Sequence, residues 1–374
     1  MKKFALKLLV FGIPAIVFLA PPIAALKLSG EYFTGIDQLV ESKEKYLIGY
    51  AYNEENSKYL KWKEVTSRPK QTILSLGSSR VLQFRKEMFQ SSFYNAGFTI
   101  QRMGDFLSFL LGIPKDNYPD VLVIGLDQWL FNEKWDLKKP KSKSAKWQPE
   151  FNLTPSFKTL ISVWNDLIKE KYSIFSFPNN NKIKNVGIAS YSMNRGFRSD
   201  GSFLYGNQIP KLLNYDTTAY DYNYNLTLAR IKNGAIRFEH GEDLYTNSLA
   251  ELEFFLHYCK KNNIYVIAFL PPFADKVNER MKQTGKHTYM PKIYPSIIPL
   301  FQKNGFELWD MSNLSTYQSG DTETIDGYHG SEVTYLKMLI YMAENGSIIS
   351  KHTSLAKLQE DLENKINNYM VYDY

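Results

Sequence analysis

The chain has 374 residues, of which 44% are hydrophobic and 15% aromatic, and its formal net charge is +7. This length suits one large domain or two ordinary ones, and the single cysteine, Cys259, excludes an intramolecular disulfide. The positive charge is compatible with an acidic polymer or an anionic lipid surface as a neighbour. A solvated, Lys-rich protein surface is the alternative explanation. No basic block with interleaved aromatics indicates nucleic-acid binding.

The first residues predict a membrane anchor. Lys2, Lys3 and Lys7 precede residues 8–26, which carry no charge. As a helix rising about 1.5 Å per residue, residues 8–26 just span a bilayer core of about 30 Å. The lysines predict a cytoplasmic N-terminus, with the rest of the chain outside. A cleavable signal peptide is the alternative, but no small-x-small cleavage site followed by a mature start is visible.

Changes in composition predict the domain boundaries. Residues 1–28 form the anchor, and residues 29–70, which are polar and rich in Lys, Glu and Tyr, predict a stalk. Residues 71–345 form the main domain. An insertion at about 130–245 opens with a Lys-rich loop and includes a segment dense in Arg, Gly and aromatics. Residues 346–374 have apolar residues at helical spacing, which predicts a terminal helix.

Alternating elements in the main domain predict an α/β fold. The βαβαβ rhythm before the insertion, and its return afterwards, are typical of a mostly parallel sheet with helices on both faces. The insertion includes an amphipathic helix with Thr154 as cap and Pro155 in its first turn. We predict strands at 73–76, 93–95, 121–125, 264–272 and 305–310, and helices at 81–89, 100–111, 248–261, 291–304 and from Val333 onward.

Two short segments carry the residue types that activate a serine. Ser79 follows the first strand, and Asp326 and His329 lie three residues apart in a loop before the last long helix. A serine hydroxyl needs a base, and the base needs an orienting acid. Because ligands bind at the carboxyl ends of parallel strands, we expect Ser79 as nucleophile, His329 as base and Asp326 as orienting acid. Ser78 is the alternative nucleophile, and a purely structural Gly-Ser-Ser turn is the alternative reading.

Backbone donors near these strand ends are candidates for an oxyanion hole. The N–H groups of Ser79 and Gly97 both follow predicted strands. The amino terminus of the helix predicted at 81–89 adds a potential that favours negative charge.

These segments resemble the conserved blocks of the SGNH/GDSL hydrolase superfamily. Gly77-Ser78-Ser79-Arg80 is similar to the nucleophile block, Gly97 to the oxyanion glycine, and Asp326 to His329 to the C-terminal Asp-x-x-His block. The likeness covers about 71–130 and 245–345. It implies a three-layer α/β/α sandwich with a mostly parallel, five-stranded, flavodoxin-like sheet, and a serine mechanism with no cofactor or metal.

The third block departs from the family pattern. It is usually Gly-x-Asn-Asp, whose asparagine donates to the oxyanion, but here it reads Gly125-Leu126-Asp127-Gln128. An ionised Asp127 at this oxyanion position would repel an oxyanion. We therefore expect Asp127 to pair with Arg80, and Asn95 or Gln128 to supply the third donor.

A single N-terminal anchor narrows the resemblance to a membrane-anchored branch of the superfamily. An SGNH domain held outside a bacterial cytoplasmic membrane is similar to the O-acyl-transfer proteins of alginate acetylation and teichoic acid D-alanylation. The resemblance implies a membrane-bound O-acyltransferase partner and transfer of an acyl group, for which we expect acetyl, from Ser79 to a hydroxyl of a cell-envelope polysaccharide. A carbohydrate esterase with the same triad and an inactive polysaccharide-binding protein are the alternatives. The insertion is the expected lid, and the expected substrate contacts are Arg80, Trp129, Arg195, Arg198 and Tyr205.

Overall fold

The computed structural model describes residues 2–33, 35–42, 44–138, 151–177 and 183–373, without the side chains of 2–9 and 11. The described helices are α1 (Lys2–Leu28), α2 (Asp37–Ser42), α3 (Asn56–Ser67), α4 (Asp105–Leu111), α5 (Glu133–Lys138), α6 (Phe157–Ile168), α7 (Ile188–Met193), α8 (Gln208–Leu213), α9 (Asn225–Asn233), α10 (Thr246–Lys261), α11 (Asp275–Thr284), α12 (Met290–Asn304), α13 (Glu332–Glu344) and α14 (Leu355–Glu363). The described strands are β1 (Tyr46–Ile48), β2 (Ile73–Leu76), β3 (Phe93–Asn95), β4 (Val121–Gly125), β5 (Lys184–Val186), β6 (Gly196–Arg198), β7 (Phe203–Leu204), β8 (Tyr265–Leu270) and β9 (Glu307–Asp310).

The chain divides into two units. The first unit consists of residues 1–60, 149–199 and 203–207, and the second of residues 61–148, 200–202 and 208–374. The predicted insertion is therefore not one body, because its residues are shared between the two units.

The second unit contains a five-stranded sheet in the order β3-β2-β4-β8-β9, and every neighbouring pair is parallel. The predicted α/β class and the five predicted strands of the main domain are confirmed. The last two strands are shorter than predicted. Strand β8 ends at Leu270, since Pro271 and Pro272 have no N–H to donate to a ladder.

Apolar side chains alternate between the two faces of this sheet, as the pleat of a strand requires. Leu74 and Leu76 enter one core cluster with apolar residues of α4, α10 and α12. Ile73 enters a second cluster with apolar residues of α13 and α14. The sheet of the second unit is thus covered by helices on both faces.

The strand order changes direction between β2 and β4. Strand β3 lies on one side of β2, while the later strands β4, β8 and β9 follow on the other side. In open parallel sheets, ligands bind outside the carboxyl ends of the strands at this topological switch point. Ser79 follows β2 and Asp127 follows β4, so both lie where that rule expects a site.

The first unit contains a four-stranded mixed sheet in the order β5-β1-β6-β7. The predicted stalk is wrong for residues 29–60, which contribute the buried strand β1 and the carboxylate of Glu31. Glu31 accepts backbone N–H groups from Ala51, Tyr52 and Asn53 on one oxygen and from Ile188 on the other, at 2.6–3.0 Å. One buried side chain therefore ties residues 51–53 to the start of α7.

The predicted anchor segment is helical, but its membrane-spanning role is not confirmed. Within the described residues, no helix combines the length and apolar character needed to cross a membrane. Near the end of α1, Ala25 and Leu26 are buried in a core cluster with Leu160 and Val163 of α6.

Several predicted helices differ in extent. The helix predicted at 81–89 is wrong: two short 3₁₀ turns, Ser79–Val81 and Lys86–Met88, occupy this region. The predicted dipole of an α-helix behind Ser79 is therefore absent there. The insertion helix α6 is capped by Ser156, whose Oγ accepts the N–H of Thr159, and not by Thr154. The helix predicted at 100–111 begins only at Asp105, the terminal helix ends at Glu363, and most of the Lys-rich loop, 139–150, lies outside the described residues.

Buried Lys61 makes the stability of the second unit depend on pH. Its Nζ donates to the carbonyl oxygens of Asn95 (2.8 Å) and Gly201, and burial lowers its pKa to about 7. The unfolded chain keeps this proton up to about pH 10.4, so above pH 7 the unfolded state binds more protons and stability rises with pH. We expect the free energy of unfolding in urea to rise between about pH 7 and 9, and to rise less steeply in Lys61→Met.

Lys70→Met is the matched control, because Lys70 is 45% exposed and pairs with Asp120 at 2.6 Å. Its pH dependence should follow the wild type. Identical slopes for the wild type and Lys61→Met would contradict the prediction.

Candidate active site

Three side chains of the second unit form a continuous hydrogen-bonded series. Ser79 Oγ lies 2.8 Å from His329 Nε2, and His329 Nδ1 lies 2.7 Å from Asp326 Oδ2. Asp326 is buried, while Ser79 and His329 are partly exposed. This is the geometry in which an imidazole removes a serine proton while a carboxylate fixes its tautomer.

The Asp326 carboxylate also shapes the loop that carries it. Its Oδ1 accepts the backbone N–H groups of Tyr328 (3.0 Å) and His329 (2.9 Å). Burial raises the pKa of Asp326, but the His329 imidazole and these hydrogen bonds outweigh it, so the pKa is lowered below its usual value. An ionised Asp326 is what stabilises an imidazolium during proton transfer.

A second buried carboxylate, from a distant part of the chain, supports the same loop. Asp221 accepts the N–H of Gly327 at 3.2 Å and both the N–H and the hydroxyl of Thr227. A Cβ on Gly327 would lie 2.7 Å from Thr227, so only glycine fits here without displacement. This support was not predicted, because Asp221 is more than 100 residues from the loop and no motif marks it.

The turn that presents Ser79 is built around Val81. Glycines at the ends of three neighbouring strands face this side chain: a Cβ would lie 2.8 Å from Val81 at Gly77, and 2.6 Å at both Gly97 and Gly125. The small residues at these strand ends therefore allow the Ser79 turn to pack close to the sheet.

Ser79, and not Ser78, faces the histidine. Ser78 is buried, and its Oγ accepts the backbone N–H of Arg80 at 3.2 Å. A second serine–histidine contact joins Ser91 Oγ to His352 Nδ1 at 2.9 Å. No carboxylate among the described residues is hydrogen-bonded to His352, so this second pair lacks the orienting acid.

The predicted oxyanion donors differ in availability. No hydrogen bond within the described residues uses the backbone N–H of Ser79. Gly97 N donates to Asn95 Oδ1 at 2.9 Å, and Asn95 Nδ2 donates to the carbonyls of Val81 and Phe84. The Asn95 amide is therefore committed to the turn, which corrects its prediction as a donor. Gln128 is also committed, since its Nε2 donates to Pro271 O at 2.8 Å.

Asp127 pairs with Arg80, as predicted. Arg80 Nη1 lies 3.3 Å from Asp127 Oδ1 and 2.8 Å from Gln128 Oε1, and Nη2 donates to Pro272 O. Burial raises the pKa of Asp127 more than the Arg80 guanidinium lowers it. Because Arg80 is fully buried in these contacts, its prediction as a substrate contact is wrong.

The other expected substrate contacts pack within their own units. Trp129 is 1% exposed, which excludes it from direct contact with a substrate in this conformation. Arg198 is buried in strand β6. Arg195 lies 3.9 Å from Glu54, and the ring of Tyr205 lies 5.2 Å from that of Phe203. Arg195, Arg198 and Tyr205 belong to the first unit, whereas the Ser79 series belongs to the second.

Two arginines contact the tyrosine that packs against His329, and neither was predicted from the sequence. The Tyr328 ring lies 4.2 Å from the His329 ring, centroid to centroid, and its hydroxyl accepts hydrogen bonds from Arg237 (2.9 Å) and Arg230 (3.4 Å). Ile236 and Arg237 both have left-handed backbones, with φ of 46° and 75°. Such residues cost about 1–3 kcal/mol each and concentrate at functional sites. Neither arginine belongs to a recognisable motif.

No protein-family model, curated protein or solved structure matches this chain. Within the described residues, no group of three or more His, Cys, Asp or Glu side chains is placed to hold a metal ion.

The contact between Val81 and Gly125 can be tested by a double-mutant cycle. An alanine Cβ at residue 125 would lie 2.6 Å from Val81 and at least 3.5 Å from other atoms. We expect Gly125→Ala to lower the free energy of unfolding by about 1–3 kcal/mol through overpacking. Combined with Val81→Ala, it should cost less than the sum of the two single changes, because the smaller side chain removes the clash. Additive costs in urea denaturation would contradict this packing role.

Proposed function

We propose that this protein is a serine-dependent O-acyltransferase that acts on a cell-envelope or exopolysaccharide hydroxyl outside the cytoplasm. The observation that carries the proposal is the unbroken series from Ser79 Oγ through His329 to Asp326, with steps of 2.8 and 2.7 Å. The flavodoxin-like strand order and the position of Ser79 after β2 support the finer assignment to an SGNH-type fold.

The proposed reaction begins with proton removal from Ser79. As Oγ attacks the carbonyl carbon of an acyl ester, His329 Nε2 takes the hydroxyl proton and then gives it to the departing oxygen. The acyl group is now an ester of Ser79. In the second half, His329 takes a proton from the sugar hydroxyl, which attacks that ester and frees Ser79 after the proton returns to Oγ.

Negative charge on the carbonyl oxygen needs donors near Ser79. The backbone N–H of Ser79 is the first, because it carries no other hydrogen bond among the described residues. The N–H of Gly97 becomes the second when it exchanges Asn95 Oδ1 for the oxyanion. Each donor of this kind typically contributes about 10²–10³ in rate.

The proposed location rests on the N-terminal segment. Lys2, Lys3 and Lys7 followed by the uncharged residues 8–26 support an anchor with the folded units outside a bacterial cytoplasmic membrane. The proposal includes a membrane-bound O-acyltransferase as partner and an acetyl group as the acyl group transferred.

Hydrolysis is the second candidate function, because water can replace the sugar hydroxyl at the same acyl-enzyme. The partly exposed Ser79 and His329 side chains favour this candidate, since water reaches both. Mixing the protein with an activated acetyl ester and a sugar acceptor distinguishes the two: transfer gives acetylated sugar, whereas hydrolysis gives acetate alone. An inactive polysaccharide-binding protein would need no aligned series of this kind.

Fluorophosphonate labelling tests the nucleophile. We expect one covalent adduct, mapped by mass spectrometry to Ser79, because only a serine with an oriented base reacts quickly. The adduct should be lost in Ser79→Ala and in His329→Ala. Ser91→Ala and His352→Ala are the matched controls, since they remove the serine–histidine pair that has no hydrogen-bonded carboxylate. Labelling at Ser91, or none at Ser79, would refute the proposal.

Asp326→Asn tests the orienting acid. The amide cannot hold the neutral imidazole in the tautomer that accepts the Ser79 proton, so we expect kcat for hydrolysis of an aryl acetate to fall by about 10³–10⁴. Glu242→Gln is the charge-matched control at an exposed site. A fall of less than about tenfold would show that His329 does not depend on Asp326.

A further inference from the structure

Arg230 and Arg237 differ from three buried or half-buried arginines of the second unit in their partners. Arg80, Arg85 and Arg102 each pair with a carboxylate, at 3.3, 2.7 and 2.7 Å. Arg237 instead donates to the neutral hydroxyl of Tyr328, and Arg230 donates to the hydroxyls of Tyr328 and Tyr220. Within the described residues neither forms an ion pair, and both guanidinium groups donate to the same tyrosine hydroxyl.

The surroundings hold these two guanidinium groups in place. The guanidinium carbon of Arg237 lies 5.3 Å from the centre of the Tyr328 ring and 5.4 Å from that of Trp129. That of Arg230 lies 5.9 Å from the Tyr328 ring. Stacking on aromatic rings orients a guanidinium while leaving its N–H groups free to donate. Both side chains are partly exposed, so a ligand can reach them.

The pair lies beside the candidate active site. Tyr328, which joins the two arginines, packs against the His329 ring at 4.2 Å. Arg237 acts electrostatically on Asp127, at the end of β4, as does His329. The left-handed backbone at Ile236 and Arg237 is kept despite its cost, which is typical of residues held for a ligand.

We propose that Arg230 and Arg237 bind an anionic group, a carboxylate or a phosphate, on the carbohydrate whose hydroxyl reacts at Ser79. The assignment of this ligand as the substrate rests on the proposed function. A guanidinium has five N–H donors in a planar fork that matches both anions. Arg237 uses one of its donors and Arg230 two, which leaves most of them for an anion.

Calorimetric titration of the full chain carrying Ser79→Ala tests the proposal without turnover. The probes are trigalacturonate and mannose 6-phosphate, each with its neutral match, galactotriose and mannose, at low ionic strength. We expect at least one anionic sugar to bind about tenfold or more tightly than its neutral match. The anion can accept charge-assisted hydrogen bonds from the two arginines, and the neutral sugar cannot. The uronate and the phosphate arms identify which anion is recognised.

Variants of the two arginines then locate the effect. Arg237→Gln and Arg230→Gln should each reduce the preference for the anionic sugar, and the double variant should abolish it. Arg280→Gln, which removes one charge from an exposed position of α11, is the control and should keep the full preference. Added salt should weaken binding of the anionic sugar alone, which tests the proposal in a chain with both arginines intact.

Equal binding of charged and neutral sugars, or a preference that survives in the double variant, would overturn the inference. Fluorophosphonate labelling of the same chain with Ser79 restored tests the proposed catalytic function independently of anion binding. A labelled Ser79 without an anion preference overturns the anion site alone. An anion preference without labelling supports the anion site and refutes the catalytic proposal.

Discussion

The buried carboxylate of Asp326 is the group on which the candidate site depends. A buried charge is expensive unless it is hydrogen-bonded, and here three N–H groups compensate it: two from the backbone of Tyr328 and His329 and one from the imidazole. The same carboxylate therefore fixes the loop conformation and the ring orientation. Ser79 meets the imidazole because Val81 packs its turn closely against glycines at the strand ends.

The parallel sheet and the Ser79 series could be predicted because both depend on local patterns. Apolar runs closed by glycine mark β2 and β4, and topology brings their ends together. The helix predicted at 81–89 could not be excluded in this way. Val81, Phe84 and Met88 have helical spacing and are buried in one core cluster, yet the chain between them forms 3₁₀ turns. Tertiary contacts such as the ion pair of Arg85 with Glu332 overrode the local pattern.

The first unit was missed for a different reason. Strands β1, β5, β6 and β7 have two or three residues each, which is too short for an alternating pattern to stand out. Burial was equally unpredictable. Arg80 and Trp129 have the residue types of substrate contacts, but residue type says nothing about the carboxylate and the aromatic rings that enclose them. Arg230 and Arg237 became recognisable only once their partners were known.

The strands of the mixed sheet leave the ribosome at widely separated times. Strand β1 ends at Ile48, but its partners β5 and β6 are completed only after Val186 and Arg198. About 140 residues separate β1 from the end of β5, which corresponds to roughly 7–28 s of synthesis. During that interval the nascent β1 has no neighbour in its own sheet. Its length of three residues limits mispairing, since short edges are poor templates for foreign strands.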